Sequence, residues 1–552
     1  MPDHSQVVKK LLDNLGELKP RRSNYDSVNQ EISDYVLPNR GDFIKNTSAG
    51  QRRDKRIFDN TAVKANEALA SSLHSDLTSS ASRWFQIYVT DDELADDDSI
   101  KLWIELTMKE LEKVFKRAKS GFSQQNHEFF LDLCAYGTAV MWISKDAGKD
   151  IVFQAIHPGE IYIEEDDKGF VDTVYREFEL TARQAAQKWG VEKMGKQGQQ
   201  ALDSDPHRKL MFTHVVLPLL DYQMMMGDET DPILKRFAYI SLYISNEDKE
   251  VLDIGGFYEM PYIVSRWEKL VGEVYGRSPS WNALSDILMV NIMSETVIKA
   301  AQKVLDPPIL MSDDGVVAPL QMFPGGVNIG AISDDGKPLM QPFPSAARVD
   351  IGFDMMEQRR QSIRESYFLD QFQGNRAGRD RVTAAEINDD RENRLRMMGP
   401  QVKRIEVEYL SPMIDRVFGI LERSGKLPAL PESAKQSGRD EVDLDIEYVS
   451  PMAFTQKTNQ LQAYNRWLAS VGTFVELDPG LVRNLDLDEI ARKTAEIAGI
   501  PVAQIKPKDQ VAAEDAAAQQ QAQQQQQFAM LQAGAETAAT LQKSGIPVVP
   551  EG

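Results

Sequence analysis

The chain has 552 residues, 42% of them apolar, a length that at roughly 150 residues per domain makes three or four domains or one elongated subunit and a composition that excludes a disordered chain. With 63 Lys and Arg against 84 Asp and Glu the net charge is −21, which excludes a surface built as a whole to neutralise phosphates. The one cysteine, Cys134, excludes an intrachain disulfide and a cysteine-rich zinc centre, so a reducing compartment is expected. The opening MPDHSQVVKKLLDNLGELKP has no apolar signal core and no stretch approaches the roughly 18 apolar residues of a bilayer span, so neither export nor membrane insertion is expected.

In chain order, residues 1 to about 125 read as mainly helical, with amphipathic stretches at Lys9–Leu18, Ala62–Leu77 and Ile100–Arg117. The carboxylate run Asp91–Ser99, DDELADDDS, has no histidine or glycine turn beside it and reads as a solvated loop, with a hard-cation site as the alternative. From Ala135 to Glu179 short Val, Ile, Phe and Tyr runs, AVMWIS, DIVFQAI, GEIYIEE and VDTVYREFEL, predict one small antiparallel sheet. A helix Thr181–Trp189 capped by Thr181 follows, then strands at Met211–Tyr222, Phe237–Ile244 and Tyr262–Trp267. The methionines 224–226 read as a core or edge segment, with a soft binding surface as the other reading.

Ser280–Leu305 has apolar residues at Trp281, Leu284, Leu288, Val290, Met293, Val297, Ala301 and Val304, a helical spacing that drifts between faces over roughly 39 Å. Asp306-Pro307-Pro308 ends that helix, because proline disfavours helix at the residue before it and donates no backbone bond. Ile309–Ala346 is rich in Pro and Gly with strand-like pieces, and Val349–Leu369 returns to helix with Phe353, Met356, Ile363 and Tyr367 on one side. Helix, compact insert, helix predicts a hairpin with a small domain at its tip. Gln371–Arg381, QFQGNRAGRDR, breaks the pattern with two glycines and three arginines and reads as a basic loop. Thr383 opens a further helix with Glu386 at the capping-box position, Gly399-Pro400 kinks or restarts it, and the stripe Val402, Ile405, Tyr409, Met413, Val417, Ile420 runs to an end near Gly425. A strand Val442–Tyr448 and helices between Gln456 and Ile505 precede an Ala/Gln tract, with eight Gln among residues 519–527, that is either helical or disordered.

No catalytic constellation is legible. The histidines His4, His74, His127, His157, His207 and His214 show no metal-ligand spacing, and none neighbours Cys134; His157, in AIHPGEIYI, reads as a turn or structural residue. The Gly-Lys pairs lack the Ser or Thr of a phosphate loop, no G-x-S-x-G elbow occurs, and GGVNIG at 325–330 is out of register for a dinucleotide fingerprint. The expectation is no enzyme, no metal and no cofactor.

Several strings, taken in order, resemble one family: RIFDNTA (56–62), LASSLHSDLTSSASRWF (69–85), AYGTAVMWI (135–143), HPGEIYIEED (157–166), VYREFELTARQ (174–184), GEVYGRSP (272–279), DPP (306–308), PGG (324–326) and RVTAAEINDDRENRLRMMGP (381–400). The colinear set, from about residue 20 to 455, is similar to the head-to-tail connector, or portal, proteins of short-tailed bacteriophages. The resemblance implies an α+β, predominantly helical subunit that assembles as a cyclic ring, typically of twelve copies, around a channel for double-stranded DNA at one capsid vertex. It assigns residues 1–279 and 384–455 to a wing, 280–305 and 349–370 to stem helices, 306–348 to a clip, 371–383 to a channel loop, 456–505 to a crown and 506–552 to a C-terminal extension.

The same resemblance implies a virion protein assembled in the host cytoplasm, with a packaging ATPase (terminase) and then tail adaptor proteins at the clip, and capsid, scaffold and internal core proteins at the wing and crown. Arg376, Arg379 and Arg381, repeated around a ring, would form a basic collar on DNA that touches backbone and reads no bases; the alternative pairs them with Asp370, Asp380 and Glu386 or with a neighbour. Trp281, Leu284, Leu288, Met293, Val297, Phe353, Met356 and Ile363 are the expected packing or interface positions of the stem, where ring neighbours cover the second face. Two other readings stand beside this one. A soluble adaptor or scaffold would be a monomer or small oligomer with no channel, and a metal-dependent nuclease would use Asp91, Asp92, Asp96 and Asp97, although adjacent carboxylates supply a loop rather than a converging two-metal site.

Overall fold

The computed structural model describes residues 4–45, 47–48, 50–79, 83–89, 97–145, 150–227, 231–305, 308–311, 321, 327, 331–333, 335–342, 349–369, 397–431, 444–448, 463–471, 486–497, 504–506 and 508–543. Two compact units divide the chain: residues 1–85 with 111–424, and residues 86–110 with 425–552.

The first unit opens with α1 (Ser5–Tyr35) and α2 (Thr61–Leu77). The start is mainly helical, as expected, with one short strand, β1 (Phe85–Val89), where β-favouring aromatic and branched residues alternate buried and half-buried, ahead of α3 (Asp98–Lys116); Gln86–Glu110 belongs to the second unit. Asp97 starts α3, its Oδ1 accepting from the Ser99 N–H at 2.7 Å and Oγ at 2.6 Å. Next come α4 (Phe122–Tyr136), β2 (Thr138–Lys145), β3 (Ile151–Ile156), β4 (Ile161–Glu165) and β5 (Val171–Thr181). Thr181 caps α5 (Ala182–Trp189) through a full capping box with Gln184, and α6 (Lys196–Ser204) follows.

The predicted single sheet is two sheets. One is three-stranded and antiparallel, β3-β2-β9, and the other is five-stranded, β4-β5-β6-β7-β8, with β6 at Lys209–Pro218, β7 at Tyr239–Ser245, β8 at Glu250–Phe257 and β9 at Tyr262–Arg266. Period-two alternation explains the split. Tyr175 and Val215 face α1 and pack with Val8, Leu11 and Leu15, whereas the adjacent Val174 and Val216 face the three-stranded sheet and pack with Val140, Ile156 and Val264. The strand expected to reach Tyr222 stops at Pro218, which starts α7 (Leu219–Met226) instead. Of its methionines, Met225 and Met226 pack on the α1 core, as the core reading expects, while Met224 is exposed, so the segment is a core-packed helix with one outward methionine.

From the sheets the chain runs into α8 (Pro279–Leu305), a short antiparallel pair β10 (Ile309–Met311) and β11 (Met340–Pro342), and α9 (Val349–Ser366). The helix, insert, helix order is the predicted one. Then α10 (Gly399–Ile405) passes through a π-helical turn, Glu406–Leu410, into α11 (Ser411–Arg423). Pro412 explains the turn: it has no N–H for the Glu408 carbonyl and its ring would collide with it, so the helix widens. The predicted stripe is buried at Ile405, Tyr409, Met413, Val417 and Ile420.

In the second unit β1 pairs with β12 (Leu444–Tyr448), and Val89, Ile100, Ile104 and Leu430 form a small cluster beside the Trp103 Nε1 bond to the Pro428 carbonyl at 2.9 Å. Helix 463–471, α12 (Leu487–Ile497) and α13 (Lys508–Lys543) follow, the last resolving the Ala/Gln tract as helix over 36 residues. Among the described residues no helix is long and apolar enough to cross a membrane.

Two buried imidazoles make the fold acid-sensitive. His214 lies between the sheets with Nδ1 2.7 Å from the Tyr262 hydroxyl, Nε2 2.9 Å from Ser241 Oγ and its ring stacked on Tyr243. Burial first, then the charges of Lys188 and Arg176, hold it well below the ordinary histidine range. His157 is pushed down to about 3 by burial and by Arg40 and Arg22. Both stay neutral in the fold while the unfolded imidazole protonates near pH 6.5, so the unfolded chain binds more protons and stability is lost as pH falls from about 6.5. Thermal unfolding at pH 7.5 and 5 is expected to show this loss, at up to about 1.4 kcal/mol per pH unit for each imidazole. His157→Gln is expected to flatten the slope; an unchanged slope contradicts the assignment.

Candidate functional site

The hairpin of α8 and α9 packs on α1, α2 and α4, and its construction begins with small side chains. Along α8 the buried positions Ala283, Ile287, Val290 and Ser294 recur at helical-turn spacing, and along α9 they are Met356, Ile363 and Tyr367. Gly352 faces α8 across the seam, where a Cβ would lie 3.4 Å from Val297 Cγ2, an ordinary contact distance. Polar pairs fix the register: Ser280 Oγ with the Tyr367 hydroxyl at 2.6 Å, and Asp286 with Arg359 Nη1 at 3.2 Å and Ser362 Oγ at 2.7 Å.

A second layer seats the hairpin on the loop that carries RIFDNTA. Asn291, midway along α8, accepts from the Phe58 N–H at 2.7 Å and donates to the Arg56 carbonyl at 2.9 Å. Asp59 takes a charge-assisted bond from Arg360 Nε at 2.8 Å and a second from the Thr61 N–H at 2.9 Å. Trp281 Nε1 donates to Asn29 Oδ1 at 3.0 Å, tying α8 to α1.

The third layer joins AYGTAVMWI to GEVYGRSP. Gly276 donates to Thr138 Oγ1 at 2.8 Å, Ser278 Oγ to the Ala135 carbonyl at 2.6 Å and Ser280 Oγ to the Cys134 carbonyl at 3.1 Å. The backbones touch so closely that a Cβ on Gly276 would overlap the Gly137 carbonyl oxygen, and Gly137 itself holds φ +81°. Beside the crossing, Arg266 is buried with Glu165 and Glu408 on its guanidinium, the Glu408 Oε1 contact being 2.7 Å, and its backbone N–H also donates to Glu408 at 2.8 Å. The π-helical turn is what carries Glu408 to Arg266 and Tyr409 to Asn126, whose Oδ1 accepts from the Tyr409 hydroxyl at 2.6 Å. Asn126 in turn donates to His74 Nδ1 at 3.0 Å and Thr78 Oγ1 at 2.6 Å, inside LASSLHSDLTSS. In HPGEIYIEED the carbonyls of Gly159 and Ile161 accept from the buried Arg22 at 2.9 and 2.5 Å.

The sequence-derived stem positions fall into three environments. Met356 and Ile363 are buried in the hairpin seam, and Trp281, Leu284, Leu288, Met293 and Val297 are half-buried, Val297 facing Gly352 across the seam. Phe353 is 54% exposed and so is not buried with Met356, Ile363 and Tyr367; at 100° per residue it lies about 60° round the helix from Met356, at the edge of that side rather than in the seam. With it on the outside are Met289 at 44%, Ile292 at 61% and Met355 at 47% exposure. Arg376, Arg379 and Arg381, and Asp91, Asp92 and Asp96, lie outside the described residues, as does most of the predicted clip; Asp97 is the α3 cap. Among the described residues no three His, Cys, Asp or Glu side chains converge as a metal site.

Asn291, Arg266 and Asp59 were missed in the sequence. Their signal was present as polar residues set in apolar or motif context, in LMVNIM, YIVSRW and RIFDNTA. The two glycines offer a direct test. Gly276→Ala forces a side chain into backbone and is expected to cost about 2 kcal/mol or more in denaturant unfolding, whereas Gly352→Ala, with room for its methyl in a helix interior, is expected to be neutral or stabilising by up to about 1 kcal/mol. Equal effects would contradict the close crossing.

The profile of the family described as bacteriophage head to tail connecting protein matches residues 8–505. The chain is 27% identical over 544 residues to the probable portal protein of Bordetella phage BPP-1 and 28% identical over 546 residues to the portal protein of Salmonella phage epsilon15, in each case covering 97% of this chain and 95% of the relative. Among solved structures, a chain of the virion of a native gene transfer agent particle aligns with a TM-score of 0.37 at 10% identity, over 76% of this chain and 90% of that one.

Proposed function

The chain belongs to the bacteriophage head to tail connecting proteins, and from that premise we propose that this portal component of the virion assembles as a closed ring of twelve copies, at one capsid vertex, around a channel for double-stranded DNA. The ring is a conduit and a docking collar, not an enzyme. Packaging energy comes from a separate ATPase, which engages the clip and is later replaced there by tail adaptors, while capsid, scaffold and internal core proteins meet the wing and crown. The 1–279 and 384–455 segments act as wing, 280–305 and 349–370 as stem, 306–348 as clip, 371–383 as channel loop, 456–505 as crown and 506–552 as an extension.

The observation that carries the reading is the outer face of the hairpin. Met289 and Ile292 on α8, and Phe353 and Met355 on α9, expose large apolar side chains, as do Ile298, Val304 and Leu305 toward the end of α8. Two different apolar faces on one strut suit a heterologous contact, α8 of one copy against α9 of the next, which closes into a ring where the rotation allows. A charge of −21 per copy keeps the assembly from gripping DNA tightly, since each neutralised phosphate adds affinity through counterion release. Arg376, Arg379 and Arg381 then form the collar at which DNA is touched without being read.

Native mass spectrometry of the purified chain tests this. Twelve copies of 62.2 kDa give about 750 kDa with a central hole in stained images. Ile292→Asp and Phe353→Asp are expected to abolish that species while leaving the unfolding temperature of the subunit within about a degree, because exposed substitutions cost little within one chain. A monomer that persists at high concentration, with no ring on adding scaffold, would favour the adaptor reading.

A further inference from the structure

Among the described residues the two sheets of the first unit end in four edge strands, and three of those edges are plugged by side chains. On β4 the Ile161 carbonyl accepts from Arg22 at 2.5 Å and the Ile163 N–H donates to the Tyr275 hydroxyl at 3.3 Å. On β3 the Ala155 N–H donates to Gln125 Oε1 at 2.7 Å, and on β9 the Arg266 N–H donates to Glu408 at 2.8 Å. The fourth edge, β8, has no plug: among the described residues its main chain makes no bond outside the β7 ladder. We infer that β8 is a docking edge, where an extended basic segment of a partner protein adds to the five-stranded sheet as one more strand.

The ladder fixes which groups are open. The Asn246 N–H donates to the Met211 carbonyl at 3.2 Å and the Leu219 N–H to the Ala238 carbonyl at 2.9 Å, so the even-numbered residues of β7 bond β6, and Tyr239, Ser241 and Tyr243 bond β8. Their partners are Phe257, Gly255 and Asp253, which leaves Ile254 and Gly256 with N–H and C=O directed away from the sheet. The strand carries no proline, and its one register shift, opposite Tyr243 and Ile244, comes before this open stretch. The two glycines differ. A Cβ on Gly256 would overlap the Phe237 ring, so packing requires glycine there, whereas a Cβ on Gly255 would meet nothing within 4 Å. Glycine inside a strand weakens it and marks the close approach of another backbone, and no described group of this chain fills the space over Gly255.

Charge selects the occupant. The turn before β8 and the strand itself carry Glu247, Asp248, Glu250 and Asp253 against Lys249. Three of these acids are engaged within the subunit: Glu247 with Arg208, Asp248 with the N–H groups of Gln197 and Gly198, and Asp253 with Lys193. Glu250 is exposed and has no partner among the described residues. A cation on the incoming strand opposite Glu250 makes a cross-strand ion pair, and an anion there is repelled. A second copy offers no such strand, because its described strands outside the two sheets, FQIYV, ILM, MQP and LDIEY, hold no lysine or arginine, and LDIEY adds two carboxylates. The occupant is therefore a foreign segment, extended and basic, with a large apolar side chain laid over Gly255.

The test is amide hydrogen exchange of the full chain, read by mass spectrometry on fragments that hold β8 and β4, with particle mass recorded for each sample. The probe is a synthetic peptide of alternating lysine and valine around a central phenylalanine, and its counterpart has glutamate in place of lysine. The amides of Ile254 and Gly256 are expected to exchange freely in the chain alone and to gain protection with the lysine peptide, while β4 stays unchanged. Glu250→Lys, at an exposed position that leaves packing intact, is expected to weaken the lysine peptide about fivefold at low salt and to reverse the preference between the two peptides. Ile254→Pro removes an outward N–H and no rung of the β7 ladder, and is expected to end the protection. No protection with the lysine peptide, or equal protection with both peptides, overturns the inference. Protection already present in the chain alone also overturns it, and, where it appears only in particles of higher mass, assigns the edge to a second copy.

Discussion

Two backbones cross at the base of the hairpin with no side chain between them, and the rest of the first unit is arranged around that crossing. Gly137 ends α4 and begins β2; Gly276 precedes the start of α8. Because neither can carry a Cβ there, the direction in which α8 leaves the sheets is fixed by main-chain contact rather than by adjustable side chains. A strut whose root is set in this way keeps its angle under load better than one held by a flexible joint. Thr138, Ser278 and Ser280 then satisfy the carbonyls and amides that the close approach would otherwise leave buried and unpaired.

Around the crossing the chain uses buried polar groups where an apolar core would be easier to stabilise. Arg266 with Glu165 and Glu408, Arg22 on the 158–161 carbonyls, and Asn291 on the 56–59 loop each link segments far apart in sequence. Desolvating such groups costs several kcal/mol, which their partners largely offset, so their net contribution to stability is small. What they add is register: a carboxylate displaced by one residue leaves a buried guanidinium unpaired, an error of about 3–5 kcal/mol. The π-helical turn imposed by Pro412 belongs to the same scheme, because it is the local distortion that brings Glu408 and Tyr409 to their partners.

Much of this was legible in the sequence because it depends on local pattern. The limits of α8 follow from its apolar spacing and the Asp306-Pro307-Pro308 stop, α5 from its Thr181 cap, and the α10–α11 stripe from 3.6-residue periodicity. What was not legible depends on long-range pairing. Adjacent strand runs look alike whether they join one sheet or two, and only the opposite faces taken by Val174 and Tyr175 separate them. Among the stem residues, Trp281 and Leu288 stand out in the sequence by size, whereas Ala283 and Ser294, which are buried along α8, carry no such signal, and the large residues are buried, half-buried or outward-facing in turn. Among the described strings, RIFDNTA, AYGTAVMWI and GEVYGRSP hold several of these packing contacts.

The outward apolar face remains the feature that a single subunit does not explain, and it is where the account is most exposed. Cys134 is fully buried, so a pair of introduced cysteines would be the accessible thiols of the chain. The measurement is oxidative cross-linking of an Ile292→Cys, Phe353→Cys double variant in the assembled protein, read on denaturing gels against each single variant. A head-to-tail ring predicts a ladder of dimers, trimers and higher species that ends at the closed oligomer in the double variant, and no ladder in either single variant. Cross-linking that stops at the dimer, or none at all in a particle of full mass, would contradict the contact between α8 and the neighbouring α9 on which the ring reading rests.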